Sequence, residues 1–348
     1  KTYANYIQFN GFAEYEFIKG LKLKVSGGYT FDTRKGETFN NSKTRYGNPK
    51  SSDKVNAEIY HSQRATWLNE NILTYQTNIK RKHFFNSMVG VTLQNSDYEY
   101  YSFKTTNIPN ESLGMAGMNE GIPSTTSSEK SSWSMMSYLG RVNYNYMSKY
   151  YATASFRVDG SSKFAKGNRW GFFPAGALAW RISNEDFLKD NQVVSNLKLR
   201  VSYGTSGNDR IDADLYQKLY GVSSSRPAGW GEVSHYYYNF YNSKYVYNPD
   251  VKWETTITRN IGIDFGFFKE RLSGTIDVYW NTVKDLLVPS DIPGYTGYTK
   301  LMTNVGQTSN RGIELQLNAW LVETKDFSLN ATFNIGHNKN KIDKLASG

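Results

Sequence analysis

Few residues in this chain have the types and spacing that bond-breaking chemistry requires. The four histidines, His61, His83, His235 and His337, lie far apart in connections or strand ends, and none has a second ligand at metal spacing. Each reads as a solvated surface histidine. The YGTSGN of Tyr203–Asn208 lacks the spacing of a nucleophile elbow, and no glycine-rich phosphate loop occurs. Asp264 and Asp277 fall on the polar side of adjoining strand patterns, where acid–base work is conceivable, but carboxylates on a wetted sheet face explain them better. The absence of cysteine excludes a disulfide scaffold and a thiolate metal site. The expectation is a protein that is not an enzyme and carries no cofactor or metal.

Two groups of residues suit binding. Arg141, Arg157, Arg181, Lys198 and Arg200 share the polar faces of neighbouring strand patterns with many Asn, Ser and Thr. Charge-assisted hydrogen bonds from such a group could hold another protein domain firmly yet reversibly; ion pairs within the sheet itself are the alternative. The second group is the aromatic segment carrying Trp230, Tyr236, Tyr237, Tyr238, Tyr241 and Tyr245. These rings could stack on the apolar faces of sugars, or present an apolar rim to a protein partner, since Tyr and Trp are frequent interface hot spots.

The elements that must position these residues are strands. In Tyr138–Gly207 small or apolar side chains alternate with polar ones: Ala152, Ala154, Phe156 and Val158 against Thr153, Ser155 and Arg157, then Leu197, Leu199, Val201 and Tyr203 against Lys198, Arg200 and Ser202. Period two places the two sets on opposite faces. The same alternation marks hairpins near 7–31, 65–98, 261–280 and 313–335, giving about twelve strands in all. Aromatic residues make up 16% of the 348 residues, which favours a β-rich chain. One short helix is predicted at SNEDFLKD, where Ser183 and Asp186 have capping-box spacing.

The connections alternate in length. Short ones fall near 18–20, 80–83, 148–149, 183–195, 268–271 and 322–326, and long ones near 34–63, 99–130, 159–170, 207–252 and 287–303. An up-and-down transmembrane β-barrel has this pattern, with short turns on the periplasmic side and long loops outside. Its strands need only about 9–11 residues with every second one apolar, consistent with a mean hydropathy of −0.62. Tyr144, Tyr146, Tyr150 and Trp180 gather toward short turns, and Trp170, Phe172 and Phe173 toward the other end, as interfacial girdles do. The net charge of +10 is scattered without a basic helix or stripe, which argues against nucleic acid and for acidic neighbours or anionic lipid headgroups.

The run YLGRVNYNYMSKYYATASFRVDGSSKFAKGNRWGFFPAGALAWRISNEDFLKD, with NLKLRVSYGTSGN after it, resembles the SusC/RagA family of TonB-dependent outer-membrane transporters of Bacteroidetes. NPDVKWETTITRNIGIDFGFFKERLSGTIDVYWNTVKDLL, IPGYTGYT and NVGQTSNRGIELQLNA look like later strands and loops of the same barrels. The resemblance implies an all-β, antiparallel up-and-down barrel domain over 1–348, the middle to later part of a barrel of roughly 22 strands. Signal peptide, TonB box and plug have no counterpart in these residues. It further implies multi-pass residence in the outer membrane and import of a glycan or oligosaccharide, with oligopeptides as the alternative cargo. The implied partners are a SusD-like surface lipoprotein acting as a lid, TonB through an N-terminal region, outer-membrane lipid, and a dimeric assembly. In that frame Arg141, Arg157, Arg181, Lys198 and Arg200 would face the plug, and Trp230 to Tyr245 would meet cargo or lid. A soluble β-rich adhesion or binding protein is the rival reading from a different class.

Overall fold

The computed structural model describes all residues except 190, 214, 218–220, 223–237, 240–244, 294–299 and 346–348, with backbone alone for 221–222, 238–239 and 245. In chain order the strands are β1 (Thr2–Ile18), β2 (Leu21–Asn40), β3 (Asn56–Ile79), β4 (His83–Thr106), β5 (Ile122–Tyr146), β6 (Tyr150–Ser161), β7 (Trp170–Arg181) and β8 (Val194–Asn208). Three two-residue pieces follow, β9 (Gly221–Val222), β10 (Tyr238–Asn239) and β11 (Tyr245–Val246), then β12 (Glu254–Phe267), β13 (Leu272–Asp291), β14 (Lys300–Glu323) and β15 (Ser328–Lys344). The twelve long strands pair in sequence order from β1 through β8 and on through β12 to β15, an up-and-down antiparallel sheet whose ends are β1 and β15. All residues of β1 and β15, the first and last strands of this sheet, are exposed. Among the described residues no helix is long and apolar enough to cross a membrane.

By contacts the chain divides into two units. One holds residues 1–14, 24–71 and 92–135, and the other holds 15–23, 72–91 and 136–348. In the first, much of the strand is polar: the half of β5 that reads IPSTTSSEK is exposed throughout and pairs through its backbone. The predicted long loops are consequently shorter than expected, because β2 runs on to Asn40, β3 begins at Asn56, and β4 reaches Thr106 before a 3-10 segment at Glu111–Glu120. Polar strands carry no hydropathy alternation, so nothing in the sequence marks where they start.

In the second unit the register fixes two chemically different faces. Opposite residues in an antiparallel pair share a face, and the pairs Tyr150–Trp180, Ala152–Leu178, Phe156–Pro174 and Val158–Phe172 line one of them. That face continues through Leu199 and Val201 to Ile263 and Ile261, then Ile276 and Val278, then Leu315 and Ile313. Large apolar side chains stand open on it, Leu178 at 65% and Phe172 at 62%. A contiguous apolar surface of this extent is unfavourable in water and suits hydrocarbon. The opposite face carries Thr153, Arg157, Lys198, Arg200, Asp264 and Asp277.

The short connections are tight. Gly20 has φ +86, a left-handed conformation that costs glycine little. Lys80 and Arg81, and likewise Met147 and Ser148, have positive φ at both central positions, as the turns that match sheet twist require. Each of these turns also bonds to the neighbouring hairpin through its backbone: Gln76 donates to Gly20, Met147 to Lys82, Arg181 to Lys149, Phe268 to Val193 and Trp320 to Arg271, at 2.7–2.8 Å. The predicted helix after Ser183 is not formed. Ile182–Asn184 is a 3-10 turn with no side-chain cap, and Ser183 is buried instead of capping, because Glu185 and Asn184 are drawn to the Ser148–Lys149 turn.

Candidate functional site

Arg200 is the centre of the polar face. Its Nε donates to Asp264 at 3.0 Å, and its Nη2 reaches Asp264 Oδ1 at 2.8 Å and Asp277 Oδ2 at 3.1 Å. One guanidinium thus ties β8, β12 and β13, and bidentate pairing of this kind is geometrically demanding. The bridge passes over Gly262, which stands opposite both Arg200 and Asp277. A Cβ there would lie 2.5 Å from Asp277 Oδ1 and 2.7 Å from Arg200 Nη2.

The other four predicted cations separate. Arg157 is paired within its own strand, Nε to Asp159 at 2.7 Å, and its Nη2 donates to Ser137 at 3.0 Å. Lys198 stands directly opposite Arg181 and places its Nζ 5.1 Å from the Tyr151 ring. Arg181 Nε is buried with no hydrogen-bond partner among the described residues. Arg141 shares its face with Asn143, which accepts from Thr153 at 2.9 Å and so lies on the polar side. Arg157 and Arg200 are therefore committed to pairs within the wall, whereas Arg141, Arg181 and Lys198 make no ion pair among the described residues.

At the short-turn end a second cluster forms. Tyr150 OH and Trp180 Nε1 donate to Glu185 Oε1 at 2.6 and 3.0 Å, and Lys149 Nζ binds Glu185 Oε2 at 3.0 Å. These donors, Tyr150 first, pull the Glu185 carboxyl from 4.5 down to about 2. The Tyr150 and Trp180 rings lie nearly parallel, 6.4 Å apart, and Tyr146 extends the row. This is the aromatic belt predicted for that side. At the other end Trp170 and Phe172 join the apolar face as predicted, but Phe173 does not. Odd parity turns it to the opposite side, where it packs edge-on against Trp253 at 5.5 Å.

Trp253 organises the long-connection end of this unit. Its indole Nε1 donates to Arg169 O at 2.9 Å, and Phe164 packs against it at 5.1 Å and is fully buried. Gly171 and Gly207 leave room for the Phe173 ring, which would stand 2.4 and 2.1 Å from a Cβ at those positions. Asp209 accepts from Ser161 Oγ at 3.0 Å, holding the start of the next connection. Its far end is fixed too: Asn248 Nδ2 donates to Met302 O, and Asn304 exchanges hydrogen bonds with the backbone of Lys252. Trp253, Phe164 and Gly262 were not singled out by sequence reasoning; the break in alternation at NPDVKW was the available signal.

Between these anchors runs the aromatic segment. Trp230, Tyr236, Tyr237 and Tyr241 lie outside the described residues. For Tyr238 and Tyr245 the backbone alone is described, Tyr238 pairing with Val222 and Tyr245 with Lys300. Among the described residues no group of His, Cys, Asp and Glu could hold a metal ion.

Comparison with known proteins agrees with this architecture. TonB-dependent receptor P39 of Formosa agariphila is 32% identical over 335 residues, covering 94% of this chain and 31% of the relative. TonB-dependent receptor SusC of Bacteroides thetaiotaomicron is 42% identical over 217 residues, covering 62% of this chain and 21% of SusC. The chain thus spans a third or less of the length of these relatives. Among solved structures, the RagAB peptide importer in its open-open state superposes with a TM-score of 0.84 at 25% identity, over 100% of this chain and 37% of that one. The profile of the family described as TonB dependent receptor-like, beta-barrel matches residues 2–347. The apolar and polar faces are therefore the outer and inner faces of a wall in the bacterial outer membrane, and the chain belongs to the TonB-dependent receptor β-barrel family, in its SusC/RagA branch.

Proposed function

We propose that this chain is part of the wall of a TonB-dependent importer that carries a glycan or oligosaccharide across the outer membrane beneath a SusD-like surface lipoprotein. The observation that carries the importer reading is the match of residues 2–347 to the TonB-dependent receptor β-barrel family, and the finer step to a glycan cargo rests on the chemistry of the sequence. The aromatic segment from Trp230 to Tyr245 supports it, because flat rings recognise the CH faces of sugars. Oligopeptide import is the second reading, favoured by the superposition on the RagAB peptide importer along the whole chain. Growth of cells carrying the full-length transporter on oligosaccharide or on oligopeptide as sole nutrient distinguishes the two. Loss of growth on oligosaccharide when the gene is deleted supports the first, and loss only on peptide overturns it.

The same full-length protein separates the roles of the segment. Replacing Tyr236, Tyr237 and Tyr238 by Ala should release the co-purifying lipoprotein if these rings meet the lid. If they grip cargo, the lipoprotein stays and cargo is lost.

On the inner face, Arg141, Arg181 and Lys198 are proposed to hold the plug. The support is that they share the lumen side and have no carboxylate partner among the described residues, while Arg157 and Arg200 do. Charge reversal at Arg181 and Lys198 should open a leak to small hydrophilic antibiotics. Unchanged import and unchanged antibiotic resistance would overturn the assignment.

A further inference from the structure

On the outer face the apolar band ends within a single register step. One row, Val201–Ile261–Val278–Ile313–His337, is still largely aliphatic. The next row, two residues nearer the long connections, is Tyr203–Arg259–Trp280–Arg311–Lys339. The row after it ends at Lys341, opposite Ser309. Four cations on β12, β14 and β15 thus follow directly on rows of this face that are largely apolar, beside one tryptophan and one tyrosine.

Their surroundings set them apart from the inner cations. Arg259, Arg311 and Lys339 are all exposed, and none has a carboxylate within ion-pair distance among the described residues. Arg259 lies 5.9 Å from the Tyr203 ring and has only a long contact, 3.5 Å, to Thr282 Oγ1. Lys341 alone has a counter-charge, Asp343 at 3.5 Å. A basic side chain on a lipid-facing surface costs about 2–4 kcal/mol at the bilayer midplane and little near the interface. Arg259 and Arg311, on either side of Trp280 and each between two neighbouring strands, lack a carboxylate partner among the described residues, and an anion from outside would balance them.

The position says which anion. Arg259 lies five residues into β12, on the side away from the short turn after Phe267, so the row sits at the outer end of the apolar band. Adjacent strands are about 4.8 Å apart, which spaces the cations on β14 and β15 to share one tetrahedral anion, with Arg259 two strands away for a second. Arginine forks match phosphate oxygens bidentately, and the Trp280 indole suits a site that is half hydrocarbon and half water. We infer that Arg259, Arg311, Lys339 and Lys341 form a binding site for the phosphate of an outer-leaflet lipid headgroup. This rests on the outer-membrane orientation of the wall and is independent of the cargo.

The test uses the full-length transporter in phosphatidylcholine nanodiscs, with bisphosphorylated lipid A, its dephosphorylated form, or inorganic phosphate added, and retained lipid counted by native mass spectrometry. Lipid A should be retained and the dephosphorylated form should not. Arg259→Gln/Arg311→Gln/Lys339→Gln should weaken retention by about fivefold per cation, on the order of 100-fold together. Arg311→Gln alone should cost about fivefold, which keeps the test open should the triple variant fail to insert. The control Lys43→Gln/Lys50→Gln/Lys166→Gln, in long connections, should leave retention unchanged. Equal loss in the control, no loss in the row variants, or equal retention of the dephosphorylated lipid overturns the site. Competition by millimolar inorganic phosphate would reassign it to a free anion. Heat-modifiable migration of each variant reports barrel insertion separately, so loss of the lipid site is distinguishable from loss of the wall.

Discussion

Two residues carry charge relationships that mutation can read directly. Replacing Arg200 by Ala leaves Asp264 and Asp277 facing one another across Gly262 without their shared donor. Losing a charge-assisted partner at this partly open site should cost about 1–2 kcal/mol, seen as a lowered thermal midpoint of the detergent-purified protein. Adding Asp264→Asn and Asp277→Asn should recover part of it, because the stranded charges are then gone. Gly262→Ala should behave like Arg200→Ala, since the added methyl group occupies the bridge. Glu185 makes a pH-dependent contribution of defined sign. Its folded pKa lies below its unfolded value, so the stability it confers is complete above pH 4.5 and is lost as the pH falls toward about 2. Thermal midpoints between pH 5 and pH 2.5 should fall in the native protein, and Glu185→Gln should remove this component. An identical pH profile in the variant would show that Glu185 does not stabilise the turn.

At the level of elements, the long-connection end depends on a small aromatic core. Trp253→Ala removes the partner of Phe164 and Phe173 and the donor to Arg169 O, and should cost about 3 kcal/mol. The connections at 162–169 and 209–253 should then become sites of limited proteolysis while the strands stay protected. The strands themselves were legible wherever one face is apolar: β6, β7, β8 and β12 to β15 follow the period-two reading closely. The polar half of β5 was not, because STTSSEKSS gives no alternation and its strand state is set by backbone pairing with neighbours. Phe173 was misplaced for a related reason: aromatic content near a strand end suggests a girdle, but parity decides the face. The cations were found by type, yet their partners were not. Asp264 and Asp277 lie 64 and 77 residues from Arg200, and a register has to be known before such pairs can be named.

For the whole molecule, the alternation of short and long connections was the strongest signal in the sequence, and the strand order follows from it. Each hairpin enters and leaves on the same side, so the sheet grows by neighbours without crossovers. Cargo choice was not legible, because the segment proposed to make it, Trp230 to Tyr245, has no strand-like regularity in sequence. The backbone bonds that join one short turn to the next have a further meaning. If the wall belongs to an importer driven from the periplasm, as proposed, it is pulled on that side each time a plug is displaced. The chain Gly20–Gln76, Lys82–Met147, Lys149–Arg181, Val193–Phe268 and Arg271–Trp320 then runs across the direction of pull, like the stitched hem of a sail. Load applied at one hairpin is shared in shear among its neighbours, and the knot at Glu185 reinforces the hem where β5–β6 meets β7–β8. Force spectroscopy on the full-length protein should show hairpins leaving in pairs at this rim, with Glu185→Ala converting the β5 to β8 event into two weaker ones.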